Sequence, residues 1–336
     1  MESVSNKKRC LLISPLRFYS FHHGIASALE GLGYHVDILN EEFPANVFGR
    51  VLGKCALPIL RFLTLRGLRK RLDTRAVYDL VLIIKGRGLG AASLRYLRTR
   101  ARRIVGYNFD SFLYNPSPLD WYLLTDRYAT FDIADAARYN LPLVHLFSAA
   151  PMAQDRERAL ELSIIQRVHS DRLKYAYRLL RALPPGARSY VFLFENSRLT
   201  FALGVLRRPL LYWKLREYIS FKPLPYSEAM RVLGSSRVTF DYAHPRQSGI
   251  TVRCFEAQSL GVAILTNNRY AVESGFFADD SIAYLPDGAN ESHVRAQIAE
   301  LSESRPEPRC RTISDFLIDL LDEEKRPYIS TEKDRN

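Results

Sequence analysis

Short apolar runs alternate with helix-length amphipathic stretches along the first half of the chain. Strands are predicted at residues 10–14, 34–39, 79–84, 103–107 and 128–131. The run at 79–84 is uninterrupted, which is typical of a strand buried on both faces of a sheet. Because helical segments lie between these runs, the pattern predicts right-handed βαβ units and a parallel sheet.

A second series of the same kind fills the other half. It predicts strands at 164–168, 190–194, 238–242, 262–266 and 282–285, and helices at 170–183, 227–233, 250–260 and 315–322. The Pro-, Ala- and Asp-rich stretch 148–158 indicates the boundary. We therefore expect an α/β protein with two Rossmann-like domains, 1–150 and 155–312, and a C-terminal helix and polar tail at 313–336. Such domains bind ligands at the carboxyl ends of their strands, so functional loops should follow strands and face a cleft between the domains.

Composition is ordinary for a globular protein, but the charge is not. Among 336 residues, 48 Lys and Arg against 36 Asp and Glu give a net charge of +12. Residues 50–103 contain fifteen basic residues and two acidic ones, a local excess of 13. A field of this sign favours an anionic partner such as nucleic acid, an acidic membrane face or a phosphorylated ligand.

The basic region contains a segment with helical periodicity. From Pro58 onward its leucines form one stripe and its basic residues oppose it: Leu65, Leu68 and Leu72 against Arg66, Arg69 and Lys70. Such a helix can lie on an anionic membrane, and we expect peripheral attachment there, with the second domain free in the cytosol. The alternative is a domain helix with a solvated basic face.

The cellular compartment is predicted from the cysteine spacing and from the lengths of the apolar stretches. Its four cysteines are far apart, which favours a reducing cytosol over a disulfide framework or a zinc ribbon. The N-terminal apolar run is too short for a signal peptide, and no apolar stretch reaches ~18 residues. We expect a cytoplasmic protein that is peripheral on the inner membrane.

Residues 236–268 carry the most informative pattern, a strand, a loop, a helix and a strand. We expect the helix to begin at Gly249 or Ile250 with Ser248 as its N-cap, so that its free N–H groups bind a pyrophosphate. Glu256 lies about two turns in, on the same face as Arg253. A carboxylate there can hydrogen-bond a ribose; the alternative is a solvated surface residue.

This segment resembles the donor-binding motif of GT-B glycosyltransferases. The likeness lies in residues 255–264 (FEAQSLGVAI), while 247–253 (QSGITVR) and 265–268 (LTNN) resemble the CgeB-like branch of capsule and lipopolysaccharide biosynthesis. Tyr78-Asp79 leading to Lys85-Gly86, residues 107–115 and residues 169–172 agree with that branch. The resemblance implies a GT-B fold with nucleotide-sugar contacts at Ser248, Gly249, Ile250, Arg253 and Glu256. Gln247 and Ser248 stand where retaining relatives have the first Glu of an E-x7-E pattern, so inversion and retention both stay open.

Two further basic residues are candidate donor contacts. Arg172 follows the first strand of the second domain, where Ser170 can cap the next helix and Arg172 could reach a phosphate. The alternative for Arg172 is a surface charge. The resemblance implies that the backbone of residues 219–225 contacts the nucleotide base, and Lys222 in this loop is a candidate phosphate contact.

Candidate catalytic bases lie in the first domain. His22 and His23 follow the first strand, and inverting GT-B enzymes, by resemblance, often place a catalytic His or Asp in this loop; the pKa of histidine suits general-base work. Asp110, near the end of the fourth strand, is a rival base or a turn cap. Asp132 and Asp135 have helical spacing, with Asp132 as an N-cap, so we predict no metal site.

The sequence therefore predicts a metal-independent, hexosyltransferase-type glycosyltransferase with no cofactor beyond its nucleotide-sugar co-substrate. Its acceptor would be a glycan or a lipid-linked glycan in bacterial surface polysaccharide biosynthesis. Two alternatives stay open: a nucleotide-sugar epimerase on the same fold, and a non-catalytic nucleic-acid-binding protein that uses residues 50–103. The chain contains no RNP, helix-turn-helix or KH signature, so we expect no nucleic-acid partner.

Overall fold

The computed structural model describes residues 7–16, 21–72, 76–150, 152, 157–324 and 327. These residues form two compact units. The first runs to Ala149 and includes the C-terminal segment from Thr312, and the second comprises Ala150–Arg311.

The first unit is built on a five-stranded parallel sheet, as predicted. Its elements are β1 (Lys8–Ser14), α1 (Phe21–Gly31), β2 (Tyr34–Asn40), α2 (Val47–Cys55), α3 (Leu57–Arg71), β3 (Tyr78–Ile84), α4 (Ala91–Arg98), β4 (Ala101–Asn108), β5 (Arg127–Thr130) and α5 (Ile133–Tyr139). The strand order is β2-β1-β3-β4-β5. The chain winds outward in opposite directions from β1, so the ligand crevice of this sheet is expected at the carboxyl ends of β1 and β3.

The second unit contains a six-stranded parallel sheet. Its elements are β6 (Leu160–Arg167), α6 (Arg172–Ala182), β7 (Ser189–Phe194), α7 (Arg198–Arg207), α8 (Pro209–Leu215), β8 (Ile219–Ser220), α9 (Tyr226–Gly234), β9 (Ser236–Asp241), α10 (Val252–Ser259), β10 (Ala263–Thr266), α11 (Arg269–Glu273), β11 (Ile282–Tyr284) and α12 (Glu291–Glu303). The order β11-β10-β9-β6-β7-β8 places the change of winding direction between β9 and β6. The two sheets bear out the predicted pair of Rossmann-like domains.

The C-terminal helix α13 (Ile313–Leu321) is part of the first unit. From the sequence we expected residues 313–336 as a segment apart from both domains. In the structure α13 packs against α1, with the Ile313 side chain where a Cβ on Gly24 would lie, 2.6 Å away. Phe316, Leu317 and Leu320 are buried, so the apolar face of α13 completes the core of this unit.

The leucine stripe of α3 faces the protein core rather than a membrane. Leu68 and Leu72 are buried and belong to the apolar cluster beneath β3, and Leu65 is half-buried. An amphipathic helix has the same sequence pattern whether its apolar face meets a sheet or a bilayer. The prediction that Leu68 inserts into lipid is therefore wrong, whereas for Leu65 it stays a prediction.

Several basic residues of 50–103 are paired with acids that lie outside that window. Arg87 contacts Glu42 at 2.6 Å, Arg98 contacts Asp126 at 2.7 Å, and Arg61 contacts Asp120. The local charge counted along the sequence is thus partly neutralised in space. Within the described residues, no helix is long and apolar enough to cross a membrane.

Candidate functional site

Arg172 lies at the switch point of the second sheet. It is the first residue of α6, and its Nη2 is 3.4 Å from the carbonyl oxygen of Tyr242, just past β9. Its guanidinium carbon is 5.1 Å from the centre of the Tyr242 ring. Asp171, not Ser170, occupies the N-cap position, because Ser170 adopts a left-handed φ of 53°. The backbone N–H of Asp171 donates to the Tyr242 hydroxyl, which ties the two loops together.

Two histidines flank this arginine, and the sequence analysis did not single them out. The rings of His169 and His244 are 6.2 Å apart, one after β6 and one after β9. Desolvation, followed by the nearby charges of Arg172 and His244, lowers the pKa of His169. With His169 neutral, the positive charge beside it comes from arginines, Arg172 among them.

The donor-motif helix begins later than predicted. Its first residue is Val252 with Thr251 at the N-cap position, so Ser248 is not the cap. The Thr251 hydroxyl donates to Asp241 at 2.5 Å, which attaches the helix start to the end of β9. Ser248, Gly249 and Ile250 are buried in the loop before the helix. This tertiary hydrogen bond, rather than local capping preference, sets the helix start.

A pair of asparagines after β10 holds that loop. Asn268 donates from Nδ2 to the carbonyls of Ser248 and Gly249, at 3.3 and 3.0 Å. Asn267 accepts the N–H of Ala243 at 2.8 Å and donates to its carbonyl at 3.1 Å. Both amides therefore replace backbone partners that the irregular loop cannot supply itself. Their position directly after a strand was the available signal, but they entered the sequence analysis only as part of a resemblance.

Glu256 is buried, so the solvated alternative is wrong. It is 4% exposed, forms an ion pair with Arg253 at 2.9 Å and accepts a hydrogen bond from the Tyr226 hydroxyl. Burial raises the pKa of Glu256, and the two partners oppose that rise. The pairing of Arg253 with Glu256 follows their i, i+3 spacing. Contact with a ribose stays a prediction.

Lys222 lies farther from this point of the sheet. It follows β8, the edge strand, which is separated from β6 by β7. Its side chain is exposed, and its backbone N–H and carbonyl both hydrogen-bond the Ser220 hydroxyl, at 3.1 and 2.9 Å. The loop is thus fixed through its backbone. A phosphate contact by the Lys222 side chain stays a prediction.

In the first unit the candidate base Asp110 is half of an ion pair. Its Oδ2 is 2.7 Å from Nζ of Lys85, and the two side chains are 15% and 22% exposed. Lys85 has a left-handed φ of 70°, which is uncommon outside glycine. Burial alone would lower the pKa of Lys85, but Asp110 and Glu41 more than offset it and raise that pKa.

Glu41 is the third member of this group, and sequence reasoning missed it. It follows β2, is 4% exposed, and accepts the backbone N–H of Arg87 at 2.9 Å. Burial raises the pKa of Glu41 to about 7, although Lys85 acts in the opposite direction. A carboxyl with such a pKa can exchange protons near neutrality. A lone Glu after a strand gives no sequence signal, because its burial depends on how the loop after β3 folds over it.

His22 and His23 lie within the first turn of α1 rather than in the loop before it. Their ring centres are 4.1 Å apart; His22 is buried and His23 exposed. Burial, followed by the neighbouring His23, lowers the pKa of His22. A neutral imidazole is the form that accepts a proton, so His22 is suited to act as a base.

Asp132 is the N-cap of α5, as predicted. Its side chain accepts the N–H of Asp135 at 3.0 Å, and Asp135 in turn accepts the N–H of Phe112 at 2.6 Å. Both carboxylates are used in holding backbone. In the described part of the chain, no group of three or more His, Cys, Asp and Glu side chains is placed to hold a metal ion.

Residues 192–313 match a family model described as glycosyl transferase-like. This segment is similar to the domain that the family model describes. It contains Lys222, the loop and helix of residues 243–259, and both asparagines after β10. Arg172 and His169 precede it. No curated protein matches the chain in sequence.

The fold of the chain is similar to that of several solved structures. The N-terminal domain of trehalose-6-phosphate phosphatase from Candida albicans is 10% identical, with a TM-score of 0.57 over 96% of this chain and 98% of that one. UDP-GlcNAc 2-epimerase from Neisseria meningitidis, bound to UDP-GlcNAc, is 10% identical, with a TM-score of 0.54 over 93% of this chain and 97% of that one. AviGT4, a glycosyltransferase of avilamycin A biosynthesis, is 11% identical, with a TM-score of 0.50 over 94% of this chain and 92% of that one. The chain thus has a two-domain, Rossmann-like GT-B fold.

Proposed function

We propose that this protein is a glycosyltransferase whose second unit binds a nucleotide-sugar donor and whose first unit binds the acceptor. The observation that carries the proposal is the position of Arg172. It lies at the switch point of the sheet, beside loops of the glycosyl transferase-like domain. A cation at this point matches the needs of a diphosphate ligand.

The residues of the second unit would act mainly on the leaving group. Arg172 would neutralise the diphosphate as the glycosidic bond breaks, and the free N–H groups at the start of α10 would add partial positive charge. The Arg253–Glu256 pair, on the same helix, would contact the ribose. Such stabilisation requires no metal ion, and we propose a metal-independent hexosyl transfer.

A base in the first unit would take the proton from the acceptor hydroxyl if the reaction inverts. His22, His23 and Asp110 are the candidates, and Glu41 joins them because of its pKa near neutrality. Asn in place of His22 should lower turnover by about 10²–10⁴ without changing donor affinity if His22 is the base. If only Asp110→Asn has this effect, Asp110 is the base, and if none of the four matters, the reaction is retaining.

We propose a glycan or lipid-linked acceptor of bacterial surface polysaccharide biosynthesis, in agreement with the resemblance to the CgeB-like branch. The chain would work in the cytoplasm, peripheral on the inner membrane. A membrane-facing surface on the first unit is supported by exposed Val47, Phe48 and Val51 on α2 and by exposed Phe62 on α3, and not by buried Leu68. Lys54 on α2 is exposed beside them.

An epimerase is the second candidate, because the Neisseria meningitidis epimerase has a similar fold. A panel of nucleotides and nucleotide sugars, followed by thermal unfolding, identifies the donor, since a ligand of the folded state raises the melting temperature. Incubation of that donor with and without a lipid-linked glycan then separates the two activities. A transferase releases the nucleotide only with the acceptor, whereas an epimerase changes the sugar without one. Nucleic-acid binding with a steep salt dependence would contradict both.

A further inference from the structure

The outer face of the α7–α8 hairpin is apolar and exposed. Five large side chains lie on it: Leu199, Leu203, Leu206, Leu210 and Trp213. Leu206 and Leu210 are 80% and 79% exposed, and Trp213 is 61% exposed. None of the ten residues of α7 is fully buried. Exposed apolar side chains that are grouped on a protein surface are typical of a binding site.

Sequence spacing places these side chains on one face of each helix. Positions 199, 203 and 206 are separated by four and three residues on α7, and 210 and 213 by three on α8. Side chains with this spacing lie above one another along a helix. The opposite face packs inward, where Phe201, Leu211 and Tyr212 meet the core of the second unit.

The two helices of the hairpin are fixed by close packing and by hydrogen bonds, so the exposed apolar face belongs to an ordered element. A Cβ on Gly204 would lie 2.0 Å from the Tyr212 hydroxyl, so only glycine allows the two helices to approach this closely. The same hydroxyl donates to buried Glu195 at 3.1 Å, and Thr200 donates to the other oxygen of that carboxylate at 2.7 Å. The chain therefore holds both helices in place while leaving the outer face uncovered.

Along the sequence of this hairpin the charged residues have one sign, and one of them, Arg208, pairs with Asp171 of the loop before α6. Between Glu195 and Glu217 the chain has five basic residues and no acidic one: Arg198, Arg207, Arg208, Lys214 and Arg216. The guanidinium carbon of Arg216 lies 4.2 Å from the centre of the Trp213 ring. Leucine, tryptophan and basic residues without acids are the composition of helices that lie in the interface of an anionic bilayer.

We propose that the outer face of α7 and α8 docks the second unit onto an anionic lipid bilayer. The leucines and Trp213 would enter the boundary between headgroups and acyl chains, and the basic residues would contact lipid phosphates. A second copy of this chain fits the face less well, because the excess of basic residues on each copy would repel that on the other. The second unit would then be held at the membrane and not free in the cytosol, contrary to the expectation from the sequence.

Docking there would also position the candidate donor site. Arg208, between the two helices, donates to the carbonyl of Ser170 at 3.0 Å and pairs with Asp171 at 2.7 Å. These two residues immediately precede Arg172. The hairpin therefore connects directly to the loop that carries the proposed diphosphate contact. The membrane proposal itself stands on the exposed face and its charge and does not depend on glycosyl transfer.

Tryptophan fluorescence tests the proposal on the full-length protein. The chain has two tryptophans, and Trp121 is 1% exposed, so a vesicle-dependent change reports on Trp213. Vesicles of phosphatidylcholine with phosphatidylglycerol should shift the emission to the blue, and brominated acyl chains should quench it. Phosphatidylcholine alone should do neither. Gln in place of both Arg207 and Lys214 should weaken binding about 25-fold, since each basic residue near the surface contributes roughly five-fold.

Leu206→Gln with Leu210→Gln should abolish the quenching. Leu123→Gln is the matched control, because Leu123 is 79% exposed on the first unit, and it should bind vesicles as wild type does. Circular dichroism establishes that each variant is folded. Three results would overturn the proposal: no blue shift with anionic vesicles, equal loss in the Leu123 control, or a blue shift that requires only a higher protein concentration, which would indicate a second copy as the occupant.

Discussion

Replacement of Glu41 by Gln should change stability in a pH-dependent way. Burial raises the pKa of this carboxyl from 4.5 to about 7 in the folded protein. The folded state therefore binds the proton more tightly than the unfolded state, and wild-type stability falls as pH rises from about 4.5 through about 7. Gln keeps an oxygen that accepts the Arg87 N–H and has no charge to bury. The stability of the variant relative to wild type should therefore increase as the pH rises.

The size of the gain follows from the pKa. One pKa unit corresponds to ~1.4 kcal/mol, so a rise from 4.5 to about 7 corresponds to roughly 3 kcal/mol across the whole window. The free energy of unfolding of Glu41→Gln, relative to that of wild type, should be about 3 kcal/mol higher at pH 8 than at pH 4.5. The attraction between Glu41 and Lys85 is already contained in this figure, because it contributes to the same pKa.

Urea unfolding at the two pH values measures this difference. On a Trp213→Phe background the buried Trp121 reports the first unit alone. Glu42→Gln is the matched control: it removes the ion pair with Arg87 and should destabilise the unit at both pH values. If Glu41→Gln changed the free energy of unfolding equally at pH 4.5 and pH 8, the reasoning would be refuted. Burial would then not raise the pKa of the Glu41 carboxyl.

Three other substitutions test the packing around the two sites. Lys85→Met should destabilise the first unit by about 3 kcal/mol in urea unfolding, because it leaves Asp110 buried without its partner; adding Asp110→Asn should recover part of that loss, and no recovery would contradict direct pairing. Asn268→Ala should cost about 1–2 kcal/mol and weaken donor binding, measured by calorimetry, whereas unchanged donor affinity would separate the loop from the site. Gly204→Ala should lower the melting temperature of the second unit through collision with Tyr212, and an unchanged value would show that the hairpin can open.

The strands could be predicted because each is a local apolar run. Residues 79–84 are bounded by polar residues, and the structure places β3 at Tyr78–Ile84. The leucine stripe around Leu68 was equally clear in the sequence, but the surface that it packs against was not. Periodicity reports that a face is apolar, and whether a sheet or a bilayer covers it depends on the tertiary structure.

The candidate sites were harder to predict because they depend on contacts between distant residues. Lys85 and Asp110 are 25 positions apart, and only the parallel arrangement of β3 and β4 brings them together. Thr251 becomes the N-cap position of α10 through Asp241, whereas local preference favoured Ser248. The helix α7 was not predicted because its apolar residues lie both on the exposed face and on the face toward the core, so the sequence shows no polar face.

The central claim is that the second unit binds a nucleoside diphosphate through Arg172, and calorimetry with UDP and uridine tests it most directly. Arg172→Gln should weaken UDP binding by about 10- to 100-fold, the worth of a charge-assisted hydrogen bond, and leave uridine binding unchanged. Arg181→Gln, on the same helix but paired with Glu291, is the control and should match wild type for both ligands. Equal losses for UDP and uridine, or no binding of any nucleoside diphosphate by the wild type, would contradict the assignment.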